Sequence, residues 1–347
     1  MSRMRVLGFV LAGVLATSGI PQAQSNGTPL VGRVTLHAHN CFPEDGHWTD
    51  RLDRALGTGV QPIAIEQDVV WYVDPATGKG RSVLAHGGDP TGKEPTLDEY
   101  FFTRLRPIIE RALAANRRDT WPVAYLHFNV RGADAPHLQY IWDMLGRYES
   151  WLTTAERRDD DRLMPLAVGP LMVLTEGGQD EVFYNRVPVG GRLRVFGTAP
   201  VPRAPGANAA ARGVPPSPAE RAAQARAAVQ TPPEVLMPAA ATNYRRWVNF
   251  PWAVVEEGGQ PKAEDWTAVD AARLRALVER AHQMNLAIRF YTLNGHEPAA
   301  SQGWSAGYNF GSLDAARVRW RAAIDAGVDL LATDQYELLA QELKKTR

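Results

Sequence analysis

The chain of 347 residues has a single cysteine, Cys41, so no disulfide can form within it and its stability must come from its core. It has no net charge, with 38 basic residues balancing 38 acidic ones, and so lacks the basic excess of a nucleic-acid-binding or polybasic membrane protein. The apolar stretch Val6 to Ala16 is too short to cross a bilayer, and no stable membrane span is expected. At 45% hydrophobic and 22% charged, the remainder is ordinary globular material.

The amino-terminal order is that of an export signal. Arg3 and Arg5 precede the apolar stretch, Gly19 and Pro21 break it, and small residues follow at Ala23 to Ser25. We therefore expect residues 1–25 to be a signal peptide, 26–347 to form one domain, and the mature protein to be periplasmic or secreted. No cysteine closely follows the apolar stretch, so no lipid anchor is expected.

The stretch from Leu36 to His86 concentrates the chemistry. His37 and His39 end a first apolar strand, Glu66 and Asp68 lie near the end of a second, Pro62 to Val70, and His86 follows a short third, Val83 to His86. Residues two apart on a strand share a face, which pairs His37 with His39 and Glu66 with Asp68. Two carboxylates so placed on a buried strand repel one another unless a cation stands between them, and oxygen ligands suit Mg²⁺ or Ca²⁺. Asn129, alternating with apolar residues on the strand Trp121 to Arg131, adds a neutral oxygen, and Arg131 two residues on is suited to a phosphate oxygen. Imidazoles titrate near neutrality, which makes His37 and His86 the acid/base candidates. Asp334, Asn294 and Trp252, at later strand ends or loops, are expected to shape the pocket, and His39 to be a secondary contact to the substrate. His127 is expected deeper and structural, and His282 solvated on a helix.

Strands and amphipathic helices alternate through most of the chain. Thr96-Leu97-Asp98-Glu99 has capping-box form, and Leu274, Leu277, Val278 and Ala281 make one apolar helix face. Further strands are expected at Pro170 to Thr175, Arg192 to Thr198, Arg246 to Phe250, Leu286 to Asn294 and Val328 to Thr333. Residues 199–241 break the rhythm with prolines around an Ala/Arg stretch, and read as an insertion with one short helix near Ala219 to Val229. About eight strands with helices between most of them predict an α/β fold of the TIM-like (β/α)8 kind, a single domain with a Pro/Ala-rich insertion and its site where strands end.

The order His-x-x-Asn, then Ile65-Glu66-Gln67-Asp68-Val69, then His86-Gly87, resembles the PI-PLC-like phosphodiesterase superfamily, which takes in glycerophosphodiester phosphodiesterases, bacterial phosphatidylinositol phospholipases and sphingomyelinase D-type enzymes. Val328 to Asp334 is similar to that family's closing Gly-Val-Asp-x-x-x-Thr-Asp. The resemblance implies a TIM-like barrel, His37 and His86 as catalytic pair, Glu66 and Asp68 as ligands of one divalent cation, and a small-molecule or lipid phosphodiester as substrate. It also implies that Asn129 and Arg131 stand where the family has an acidic ligand and a lysine, and Cys41 where it has an aspartate. Two alternatives stay open: a zinc hydrolase of amidohydrolase type built on His37-x-His39, and a barrel that binds a phosphoester without turning it over.

Overall fold

Short apolar strands feeding capped helices produce a closed parallel barrel. The computed structural model describes residues 28–346 apart from 45, 133, 177–180, 203–216 and 298–305; the expected signal peptide, 1–25, lies outside them. The wall runs in chain order: β1 (Thr35–Ala38), β2 (Ile63–Val73), β3 (Ala124–Arg131), β4 (Leu171–Thr175), β5 (Phe196–Thr198), β6 (Arg245–Pro251), β7 (Ala287–Tyr291) and β8 (Leu330–Thr333). Each strand pairs in parallel with the next, and β8 returns to β1 with Thr35 opposite Leu330 and His37 opposite Ala332.

Helices α1 (Arg51–Gly57), α2 (Thr103–Ala115), α3 (Ala135–Arg147), α4 (Pro218–Gln230), α5 (Ala268–Gln283), α6 (Leu313–Ala326) and α7 (Tyr336–Lys345) surround it. α5 shows why they form. Thr267 and Asp270 cap its start reciprocally, and Leu274, Leu277, Val278 and Ala281 are all buried. Each large side chain on that face contributes about 1.5–3 kcal/mol on leaving water. α6 begins with the Ser312 hydroxyl accepting from Ala315 N and ends at Gly327, whose φ of 80° favours glycine.

Two expected strands turn out differently. Arg192 to Thr198 splits: Arg192–Leu193 joins Thr154–Glu156 and Leu166–Ala167 in a small separate sheet, and only Phe196–Thr198 enters the wall. Between them Arg194 turns aside to Glu149, 2.7 Å from Nε to Oε2, and lies over the Trp142 ring. The short strand before His86 is Gly80–Leu84, which pairs antiparallel with Val69–Val73 at the outer end of β2. It is the return arm of a hairpin and not a barrel strand. A Cβ at Gly80 would run into the Trp71 ring across this hairpin. Of segment 199–241, the described part carries α4 and a short helix Pro233–Leu236, and the flanking strands β5 and β6 pair with each other.

Register decides what faces inward. On β2, Ala64, Glu66 and Asp68 lie opposite Tyr125, His127 and Asn129 of β3, and on β6 Trp247 and Asn249 lie opposite Ala287 and Arg289 of β7. His37 lies opposite Ala64, one row below Glu66.

Candidate active site

A cavity of about 730 Å³ opens where the strands end, and its lining includes His39, Glu66, His86, Asn129, Arg131 and Arg289. Several of these are residues the sequence brings forward, but their roles are redistributed by depth.

His37 is fully buried and does not line the cavity. Its Nδ1 accepts from Arg289 Nε at 2.6 Å, and its Nε2 stands 3.3 Å from His127 Nδ1. A guanidinium can only donate, so His37 Nδ1 is the acceptor and Nε2 carries the hydrogen toward His127. Burial, then the charges of Arg289 and His127, hold the His37 pKa well below the usual histidine value. Both ring nitrogens of His37 are thus engaged inside the barrel, and the reason for its depth is register. The residue that reaches past this row is His39, just beyond β1, immediately followed by Asn40, which turns the chain with φ of 42°.

His39 borders the cavity, and its Nδ1 lies 3.0 Å from Asp334 Oδ1. Asp334 also receives Arg51 Nη1 at 3.1 Å and Asn294 Nδ2 at 2.6 Å. Burial works to lower the His39 pKa, but the charge of Asp334, then that of Glu66, outweighs it and the pKa is raised. His86, carried over the mouth by the hairpin, has its Nε2 3.9 Å from Asp68 Oδ2. Its pKa is lowered, by burial and then by the Arg131 charge.

The two carboxylates of β2 each meet an arginine. Arg289 Nη2 donates to Glu66 Oε2 at 2.6 Å, and Arg131 donates to Asp68 Oδ2 from Nε at 2.9 Å and Nη2 at 2.6 Å. Burial raises the Glu66 pKa, but the Arg289 charge overrides it and the carboxyl is lowered. Asp68 is pushed up to about 7, by burial and then by the Glu66 charge, against Arg131. Glu176, just beyond β4, accepts from Asn249 Nδ2 at 2.7 Å and stands 3.5 Å from His127 Nε2. Burial raises its pKa, but His127 and Arg289 bring it down to about 2.

Asn129 lines the cavity, whereas Asn294 and Trp252 do not. Asn294 supports the site through Asp334, its Oδ1 also accepting from Asp334 N at 2.8 Å. Trp252 is buried, with its indole N–H donated to Glu256 Oε2 at 2.6 Å, and serves the outer packing. His127 is buried in the interior as expected. His282, expected in solvent, faces Asp329 with Nε2 3.0 Å from Oδ2. Sequence reasoning passes over Arg289, Glu176, Asn249 and the aromatic wall of Tyr291 and Tyr308. A charged residue in the apolar run Ala287-Ile288-Arg289-Phe290-Tyr291, at inward parity, is the signal that could have found Arg289.

The expected cation can be tested against this donor set. By distance, His37, Glu66 and His127 could hold a metal ion, with ligand atoms within 4.8 Å of one another. Yet His37 Nε2 carries its hydrogen, and Glu66 Oε2 is already bonded to Arg289. In the oxygen set Glu66, Asp68 and Asn129, Glu66 Oε2 and Asp68 Oδ2 are bonded to arginines, while Asp68 Oδ1 is buried without a hydrogen-bond partner among the described residues. Two guanidiniums already hold these carboxylates, so a divalent ion would have to compete with Arg289 and Arg131 for its ligands.

No protein-family model and no curated sequence matches the chain. Among solved structures it is similar to a calcium-dependent phosphoinositol-specific phospholipase C from Pseudomonas sp., at 12% identity over 91% of this chain and 93% of that one, with a TM-score of 0.43. It is similar to a glycerophosphoryl diester phosphodiesterase from Parabacteroides distasonis, at 10% identity over 90% and 87%, TM-score 0.37. A dihydropteroate synthase from Burkholderia cenocepacia also resembles it, at 12% identity over 90% and 91%, TM-score 0.34. These proteins carry different chemistries, and what the chain has in common with them is the barrel.

Proposed function

We propose that the protein is a phosphodiesterase in which His86 acts as general base and His39 as general acid. The observation that supports this is a pair of histidines bordering one cavity with basicities displaced in opposite directions, beside the part-exposed guanidinium of Arg131. Groups whose surroundings push their pKa values apart divide the acid and base roles between them. Neutral His86 removes the proton from an attacking hydroxyl, which belongs to water or to the substrate itself. Protonated His39, held through Nδ1 by Asp334, delivers a proton from Nε2 to the departing oxygen. Arg131 and Asn129 bind the phosphoryl oxygens. Substrates of glycerophosphodiester or phospholipid type suit this arrangement, and the amino-terminal sequence supports export to the periplasm or medium.

Hydrolysis of an aryl phosphodiester by the purified protein tests the reading. We expect a bell-shaped dependence of kcat/KM on pH, with an acid limb from His86 below the usual histidine range and an alkaline limb from His39 above it. A wild-type protein inert toward diesters, or one that keeps full activity as His39→Gln, defeats it. The zinc-hydrolase alternative, built on His37-x-His39, would find its further histidine in His127, which groups with His37 and Glu66. Stoichiometric zinc in protein purified without chelator would favour it.

A further inference from the structure

Two inward carboxylates on one strand call for positive charge, and here the chain supplies it from its own side chains. Glu66 Oε2 takes Arg289 Nη2, and Asp68 Oδ2 takes two donors from Arg131. At the next inward position of β3, opposite Asp68, stands the neutral amide Asn129. Each of these two carboxylates thus has a guanidinium partner, and Glu176, the third carboxylate of the cavity, stands 3.7 Å from Arg289 Nη1, so the two arginines supply the positive charge that a cation would bring. The arginines also differ in exposure. Arg289 is 2% exposed, hydrogen-bonded to Glu66, His37 and Asn249, and 3.7 Å from Glu176 Oε1. The Arg131 side chain is 39% exposed and lines the cavity that His39 and His86 border. A guanidinium presents several donors in one plane and matches two phosphoryl oxygens at once.

We propose that Arg131 and Arg289 together replace a divalent cation in this pocket, Arg289 fixing the carboxylates and Arg131 receiving the phosphoryl group, so that phosphate binding and turnover need no metal. The turnover half rests on the phosphodiesterase reading; the binding half does not.

The test uses the full chain, stripped with a chelator that is then removed, and titrated with inorganic phosphate while tryptophan fluorescence is followed, with and without Mg²⁺, Ca²⁺, Mn²⁺ or Zn²⁺. Phosphate affinity, and the rate on an aryl phosphodiester, are expected to change by less than about threefold between stripped and supplemented protein. A loss of about tenfold or more on stripping, restored by one ion, overturns the inference, as does failure to bind phosphate in either state. A protein that binds phosphate without metal but never cleaves a diester sinks the phosphodiesterase reading and leaves the binding inference standing. Arg131→Gln frees the Asp68 carboxylate. It should lose about tenfold or more in phosphate affinity and gain a thermal shift with Ca²⁺ that the wild type lacks. A wild type that Ca²⁺ stabilises as strongly as this variant contradicts the proposal. Should Arg131→Gln not fold, Arg131→Lys keeps the charge and is expected to bind phosphate more weakly but still without metal; a metal requirement in it counts against the idea.

Discussion

Arg289→Met removes a buried guanidinium and leaves the Glu66 carboxylate without the donor 2.6 Å from its Oε2. Methionine refills much of the stem volume, so the loss is mainly electrostatic. The charge-assisted bond to Glu66 contributes about 1.5–3 kcal/mol, and the bonds to His37 at 2.6 Å and Asn249 at 3.2 Å about 0.5–1.5 kcal/mol each. Breaking a buried pair from one side costs about 3–5 kcal/mol, and that is the destabilisation expected near neutral pH. The sign of its pH dependence follows from Glu66. In the wild type Arg289 holds this carboxyl below its unfolded value, so its stabilisation is present above that value and is lost as pH falls through the folded one. In the variant burial and the Glu176 charge are opposed only by His39 and His127, so the carboxyl is expected to rise, and the penalty is full at high pH and vanishes on acidification. Both effects narrow the gap between the proteins as pH falls toward about 4. Urea unfolding followed by tryptophan fluorescence across that range measures it. A variant within about 1 kcal/mol of wild type at neutral pH, or a gap that does not shrink on acidification, would refute the assignment of Arg289 as the charge that keeps Glu66 ionised. The double variant Glu66→Gln/Arg289→Met should recover more than half of the loss.

His86→Gln should lower kcat by about 10²–10⁴-fold with an unchanged unfolding midpoint, because its side chain is 45% exposed. His37→Gln should do the reverse, costing about 1–3 kcal/mol of stability through its broken bond to Arg289 while kcat falls less than about tenfold; a larger kinetic loss would return His37 to the catalytic pair. Trp252→Phe is expected to leave KM unchanged and to lower stability by about 1–2 kcal/mol through the lost N–H to Glu256, as calorimetry and kinetics together would show. His282 has its pKa raised, by the hydrogen bond to Asp329 against burial, so its contribution is full below the unfolded value of about 6.5 and is lost as pH rises through the folded one. His282→Ala should abolish that slope in stability between about pH 6.5 and 8, and an unaltered slope would show that the imidazole is not its source.

The barrel was legible because each wall strand leaves its own local trace. Ile63 to Val73 is rich in β-branched residues, and Leu274, Leu277, Val278 and Ala281 repeat with helical period. Row depth was not legible. Apolar alternation shows that His37 and His39 share a face, but only the pairing of His37 with Ala64 shows which of them stops short of the Glu66 row. Arg289 was missed for a related reason: its partners, Glu66 and His37, are 223 and 252 residues away in sequence, and no local pattern announces a contact closed across a barrel. Trp252 illustrates the opposite error, since a large aromatic near a strand end reads as a pocket wall when its indole is spoken for by Glu256 four residues on.

The closure between β1 and β8 has a consequence for synthesis. His39 and the aspartate that holds it are 295 positions apart, and the Tyr336 hydroxyl fixes the His39 carbonyl from just beyond the same strand. Translation therefore delivers Asp334 long after His39. A nascent chain still short of residue 334 lacks both the strand that closes the ring onto β1 and the carboxylate that His39 Nδ1 faces. The His39–Asp334 pair can form only once that strand is docked.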